Sequence, residues 1–251
     1  TPREDGWVIS LVPTQLQRLL AAKGGAEWLR GFRIIFVGGG PIWPALADAA
    51  AAERVPVALS YGMTETASQI TTTEKLTACP SRIHAGKPLP GRELRISPSG
   101  EVQVRGGILA TGVLTSSGQL ESITDAEGWA STRDVGTLNK NNELILLGRR
   151  DRMIISGGEN IHPERIEAIL SDVPGVVRVA VVGITHPVFG MRPVAFVTGN
   201  VNVESLRDFL GERVERFEIP DFFFPWPDSI PIDDAKIDYT QLTRLAETMA
   251  H

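Results

Sequence analysis

Cysteine is nearly missing from this chain: Cys79 is the only one in 251 residues. A single thiol excludes an intrachain disulfide framework and a cysteine-built metal site. It also fits a reducing cytoplasm, where this reading places the protein. Long apolar runs are lacking as well. No stretch approaches the roughly 20 residues needed to cross a bilayer, so no membrane partner is expected. Positive charge is neither in excess nor clustered: 25 Lys and Arg stand against 30 Asp and Glu, a formal net charge of −5. That argues against nucleic acid as the main partner. What remains is a globular composition, 42% hydrophobic and 22% charged, in a chain long enough to bury a large core.

The order of apolar runs and turns predicts an α/β protein in two parts. Leu11, Val12, Leu16, Leu19 and Leu20 have helical spacing around Pro13–Gln15. A short apolar strand, Arg33–Val37, ends in Gly38-Gly39-Gly40-Pro41. An alanine-rich helix over about 43–53 follows, then a second apolar strand, Val55–Leu59, which runs into Tyr61-Gly62. Strand, helix and strand joined by short turns make a parallel layer. Ligands of such layers bind beyond the carboxyl ends of the strands, where both glycine-bearing turns lie. From about Gly86 to Leu147, alternating stretches such as Glu93–Ile96 and Glu101–Arg105 are separated by Pro, Gly and Ser, which predicts antiparallel β structure. A further α+β unit begins near Asp151: a strand over Met153–Ile155, a glycine turn and a helix over His162–Leu170. The β-rich runs Val176–Val182 and Val194–Val197 follow, then helices over about 203–215 and 239–249. The expected division is residues 1–150 and residues 151–251.

Four constellations could carry chemistry. In Tyr61-Gly62-Met63-Thr64-Glu65-Thr66, a hydroxyl and a carboxylate follow a tight turn at a strand end. Thr64 could hydrogen-bond a phosphate and Glu65 could help hold Mg²⁺, which prefers oxygen ligands. Read alone, the same residues make a helix amino-terminus with Thr as cap. In Ser131-Thr132-Arg133-Asp134-Val135-Gly136, Asp134 is either a turn former or a carboxylate able to accept from a ribose diol. In the run from Gly148 to Pro163, Gly157-Gly158 lets backbone approach a ligand or simply turns the chain. Lys236, in Asp234-Ala235-Lys236-Ile237, reads by itself as a surface lysine on the late segment.

These motifs occur together and in order. YGMTETAS, STRDVG, GRRDRMIISGGENIHPERIE and the late AKID resemble successive core motifs of the carboxyl-terminal half of the adenylate-forming superfamily of acyl-CoA synthetases. GGGPIWPAL resembles the glycine turn that precedes them. Three further segments, Ser10–Leu16 with Arg18-Leu19-Leu20, Ala85–Gly91 and Phe189–Ala195, are similar to those of the o-succinylbenzoate–CoA ligases of menaquinone biosynthesis.

The resemblance implies the later part of a large adenylating domain, a parallel sheet with a β-rich subdomain, followed by a small mobile α+β domain. It implies a ligase that joins a small-molecule carboxylic acid to CoA at the expense of ATP, with Mg²⁺. Carried over position by position, Thr64 binds phosphate and Glu65 the metal. Gly38, Gly39 and Gly40 line the adenine side with Tyr61 packed against the base, and Gly62 turns the chain beside it. Asp134 takes the ribose hydroxyls with help from Arg149. Asp151 is the hinge, Gly157 and Gly158 border the pantetheine channel, and Lys236 serves adenylation. Ser10, Thr14, Ser68 and Gln69 are expected in the acyl pocket. Ala235 stands where the family has glycine beside the late lysine. The family's amino-terminal phosphate loop has no match here, so the chain is expected to lack an upstream half, and a homo-oligomer is left open. Another aryl- or acyl-CoA ligase, or an adenylate-binding fragment without turnover, are the alternatives. A dinucleotide-binding reading of Gly38–Gly40 fails for want of spaced glycines and a following acidic residue.

Overall fold

The computed structural model describes residues 6–40, 42–76, 83–231 and 237–250. Cys79, Ala235 and Lys236 therefore lie outside the described residues. The chain divides into two compact units, Thr1–Leu147 and Gly148–His251.

The first unit opens with strand β1 (Val8–Leu11), helices α1 (Pro13–Ala21) and α2 (Gly25–Arg30), strand β2 (Ile34–Val37), helix α3 (Pro44–Ala52) and strand β3 (Val57–Gly62). Strands β1, β2 and β3 are parallel, with Leu11 opposite Val37 and Val37 opposite Leu59. The expected helix from Leu11 is corrected here. Val8–Leu11 is an edge strand whose first three residues are not buried, and the helix waits for Pro13, whose ring presets the first helical turn. Strands β4 (Gln69–Thr72) and β5 (Lys87–Pro88) extend the sheet antiparallel. Beneath it, Leu16, Leu29, Ile35, Val37, Leu46, Val57 and Leu59 form one buried cluster, each contributing roughly 1.5–3 kcal/mol by leaving water.

Next come β6 (Arg92–Ile96), β7 (Glu101–Gly106), the exposed hairpin β8 (Val113–Leu114) with β9 (Leu120–Glu121), then β10 (Ala130–Leu138) and β11 (Leu144–Arg149). The four longer strands form a sheet ordered β11-β10-β7-β6, so the antiparallel reading of this region holds. Tyr61 and Ile70 pack with Val102, Val104, Ala130 and Leu144, which joins this sheet to the end of β3 and β4.

The second unit contains β12 (Ile154–Ser156), β13 (Glu159–Ile161), α4 (Pro163–Ser171), β14 (Val176–His186), β15 (Gly190–Gly199), α5 (Val203–Gly211), β16 (Phe222–Pro225) and α6 (Tyr239–Met249). Side chains alternate across a strand, and here the alternation serves two cores. Val179, Val181, Ala195 and Val197 meet Ile166 and Leu170 of α4 and Leu206 and Leu210 of α5 on one face. Ala180, Val182, Val194 and Phe196 meet Leu242 and Ala246 of α6 on the other. The helix expected over 203–215 stops at Gly211. Val214 and Phe217 still reach the same core, through a 3-10 turn at Arg216–Glu218 rather than more α-helix.

The head of this unit is tied down by acids of α4. Glu164 Oε1 accepts from the Arg149 amide at 3.2 Å and from Arg152 Nη1 at 3.0 Å. Arg152 Nη2 donates to Glu167 Oε1 at 2.6 Å, and Glu167 Oε1 also accepts from the Val181 amide at 2.8 Å. The Arg152 guanidinium lies 3.6 Å from the Tyr239 ring centroid, an added cation–π contact. Burial and the neighbouring acids push the Tyr239 phenol above its ordinary range.

Candidate active site

The site is built at the carboxyl edge of the parallel strands. Gly38, directly after β2, lies so close to β3 that a Cβ there would stand 2.5 Å from Ser60 Oγ and 2.6 Å from the Ser60 carbonyl oxygen. Gly39 turns with φ +75°, a conformation suited to glycine. A Cβ on Gly39 or Gly40 would meet only Val12 or Pro13 side-chain atoms, at 3.6 Å and beyond. Both are exposed, so this backbone can be approached by a ligand.

Beyond β3, the chain makes a 3-10 turn at Thr64–Thr66 rather than a long helix. Buried Thr66 organises it: its hydroxyl donates to the Met63 and Ser68 carbonyl oxygens at 2.9 and 2.8 Å and accepts from the Met63 amide at 3.1 Å. The turn leaves Thr64 exposed and Glu65 half-buried. Gly62 has no room for a side chain, since a Cβ would fall 1.9 Å from the Ser68 carbonyl oxygen. Gln69 lies opposite Gly62 in the β3–β4 pairing. Ser68 is exposed, as are Ser10 in β1 and Thr14 in α1.

The structure joins two of the sequence motifs directly. Tyr61 Oη donates to Asp134 Oδ2 at 2.6 Å. The Tyr61 ring is 8% exposed and packed in the core, so its hydroxyl is what reaches the site. Asp134 is presented by a bulge in β10. Ser131 pairs with Gln103 and Val135 with Glu101, so Thr132, Arg133 and Asp134 stand opposite Val102 alone. Arg133 adopts φ +62°, costly for a side-chain-bearing residue by about 1 kcal/mol or more. Thr132 Oγ1 donates to the Val102 carbonyl oxygen at 2.8 Å and accepts from the Asp134 amide at 3.1 Å. Glu101, 6% exposed, accepts from the Ser131 hydroxyl and, at 3.1 Å, from the Arg133 amide. Just ahead of β10, Trp129 meets both Arg95 and Arg105, whose guanidinium carbons are 4.2 and 4.7 Å from its ring centroid.

Sequence reasoning missed Thr66, Glu101 and Thr132. In the structure Ala130, Thr132 and Val135 point inward, and a step of two followed by a step of three breaks strand alternation.

Arg149, Asp151, Gly157 and Gly158 belong to the second unit. Arg149, just before the 3-10 turn Arg150–Arg152, forms a two-pronged pair with the exposed Asp151, Nε to Oδ1 at 3.1 Å and Nη2 to Oδ2 at 2.9 Å. Gly157 and Gly158 form the turn between β12 and β13 with φ +60° and +91°, and the Gly157 amide donates to the Phe189 carbonyl oxygen at 2.8 Å. Among the described residues no group of three or more His, Cys, Asp or Glu is placed to hold a metal ion, and no helix is long and apolar enough to cross a membrane. A lone carboxylate at Glu65 suits a Mg²⁺ that arrives with its phosphates, since that ion is bound by one or two carboxylates plus substrate oxygens.

Comparison with known proteins follows the same division. The 2-succinylbenzoate–CoA ligase of Geobacillus kaustophilus is 35% identical over 233 residues, 87% of this chain and 47% of that protein. Among solved structures, the o-succinylbenzoate CoA synthetase of Bacillus subtilis in complex with the acyl-adenylate intermediate OSB-AMP superposes with a TM-score of 0.82 at 33% identity, over 94% of this chain and 50% of that one. The same synthetase in complex with ATP and magnesium ion gives 0.80 at 33%, over 94% and 51%. The chain thus spans about half the length of the relatives it matches. Residues 3–120 match the family model described as AMP-binding enzyme, and residues 165–233 match the AMP-binding enzyme C-terminal domain. Two models of one family, met in order along an α/β chain with this glycine turn and this tyrosine–aspartate pair, mean that the chain belongs to the AMP-binding enzymes.

Proposed function

We propose that these residues serve an ATP-dependent acid–CoA ligase whose acid is o-succinylbenzoate, acting in the cytoplasm in menaquinone biosynthesis. The observation that carries the reading is the Tyr61–Asp134 hydrogen bond at the carboxyl edge of a parallel sheet, beside an open glycine turn. Similarity to the succinylbenzoate ligases supports the choice of acid.

In the first half-reaction a carboxylate oxygen of the acid attacks the α-phosphorus of ATP. The new P–O bond gives an acyl-adenylate as the bond to pyrophosphate breaks. Charge accumulates where two anions meet, and fixed donors and cations there lower the barrier. Thr64 donates to the phosphate, Glu65 helps hold Mg²⁺, and Lys236 supplies the cation. Bound Mg²⁺ neutralises phosphate charge. Asp134, fixed by Tyr61, accepts from the ribose hydroxyls, and Gly39 and Gly40 offer backbone to the adenine. In the second half-reaction the CoA sulfur attacks the acyl carbon. A C–S bond forms, AMP leaves with the bonding pair, and the thiol proton passes to solvent or the departing phosphate. Residues 1–150 form the later part of the adenylating domain and residues 151–251 a mobile domain. Movement about Asp151 withdraws the lysine and brings the Gly157-Gly158 turn to the thiol path.

The test is pyrophosphate release from ATP, with and without o-succinylbenzoate and CoA, alongside a Lys236→Ala variant. Acid-dependent release, reduced at least about a hundredfold by the substitution, is the expected result. Release with another acid in its place would reject the substrate and keep the chemistry. Silence with every acid would leave adenylate binding without turnover.

A further inference from the structure

We propose that Glu101 is the positioning residue for nucleotide recognition: it folds the β10 bulge that holds Asp134 where a ribose can meet it. The proposal rests on the ribose reading of Asp134 and deepens it.

The argument starts from the ladder. A regular β10 would keep Asp134 in the alternating pattern of its pairing with β7. Instead three residues face Val102 alone, and the middle one, Arg133, takes a left-handed φ of +62°. A bulge breaks the ladder and frees backbone donors, which need other acceptors. Glu101 supplies that acceptor from the neighbouring strand, taking the Arg133 amide at 3.1 Å and the Ser131 hydroxyl with the same oxygen. The side chain is 6% exposed, and a buried carboxylate is tolerated only where it is hydrogen-bonded. Thr132 closes the far side through the Val102 carbonyl and the Asp134 amide. Asp134 thus leaves the bulge with its amide fixed and its carboxylate against Tyr61 Oη at 2.6 Å. Glu101 touches none of the reacting groups. It acts through Asp134.

The experiment compares binding of AMP with that of 2′,3′-dideoxy-AMP, which lacks both ribose hydroxyls, by titration calorimetry on the chain and its Glu101→Ala, Glu101→Gln, Ser131→Ala and Asp134→Ala variants. Glu101→Ala is expected to weaken AMP about tenfold, the scale of a lost charged hydrogen bond, while leaving the dideoxy analogue within about twofold. Glu101→Gln keeps an acceptor oxygen and restores most of the preference. Ser131→Ala, a milder change that removes one donor, gives an intermediate loss even if Glu101→Ala proves too unstable to study. A general loss of structure would lower both ligands equally, and that result would overturn the proposal. So would an unchanged preference in Glu101→Ala together with its loss in Asp134→Ala, and there the ribose reading survives. A preference that persists in Asp134→Ala would overturn the ribose reading and the proposal with it.

Discussion

At the scale of single residues, the candidate site is shaped by backbone positions as much as by charged side chains. Gly62 ends β3 with the Ser68 carbonyl oxygen where its Cβ would be. Gly62→Ala must push β4 away from β3 or bend the Thr64–Thr66 turn. Overpacking of this kind costs about 1–3 kcal/mol, and here the obstacle is backbone, which yields less readily than a side chain. We expect a loss near the top of that range in a urea midpoint and, on the roles proposed for Thr64 and Glu65, which the same turn carries, weaker nucleotide binding. Much of this was legible. The YGMTET run signals a turn after the strand, and the structure has one at Thr64–Thr66. Thr66 was not singled out, because a buried threonine that serves three backbone groups looks in sequence like any other residue after a glutamate.

Among elements, the Arg152 cluster ties the turn before β12 to α4 and β14. The side chains of Arg152, Glu164 and Glu167 are 17%, 14% and 11% exposed. Removing the cation strands two acids in a site that water barely reaches, a change that costs about 3–5 kcal/mol. Arg152→Met is therefore expected to lower stability by about 3 kcal/mol, read as a shifted denaturation midpoint, even though methionine fills similar space. The sequence displayed none of this, since GRRDRM offers three arginines with nothing to rank them. Regular elements were easier. The short apolar strands β2 and β3 and the amphipathic helices α4 and α6 follow directly from periodicity. Edge strand β1 was hidden in an apolar run continuous with α1, and β16 in Phe222–Pro225 was unread because it pairs far away in sequence, parallel to β15.

At the scale of the whole molecule, two compact units with separate cores predict two thermal transitions, one for each. His162 should mark the second. Burial holds its imidazole below the ordinary value of 6.5, so the unfolded chain takes up a proton first as pH falls. Stability is therefore full above about pH 6.5 and declines below it, until the folded imidazole is protonated too. Calorimetry between pH 8 and pH 5 should show the second unit's transition falling more steeply than it does in a His162→Gln variant. Equal slopes would remove His162 from the account. The two-part organisation was visible in the change of texture near Asp151, because a new strand–turn–helix pattern starts there. β11 runs through Leu147 and Gly148 without a turn, so sequence punctuation falls just after it.

Trp129 gives the β10 bulge an optical handle. It stands immediately before β10, nearly buried and met by two guanidinium groups. Indole emission shifts with the electric field across the ring, to which Arg95 of β6 and Arg105 of β7 contribute here. With the other four tryptophans replaced by phenylalanine, the protein's own fluorescence would report movement of this sheet without any attached dye.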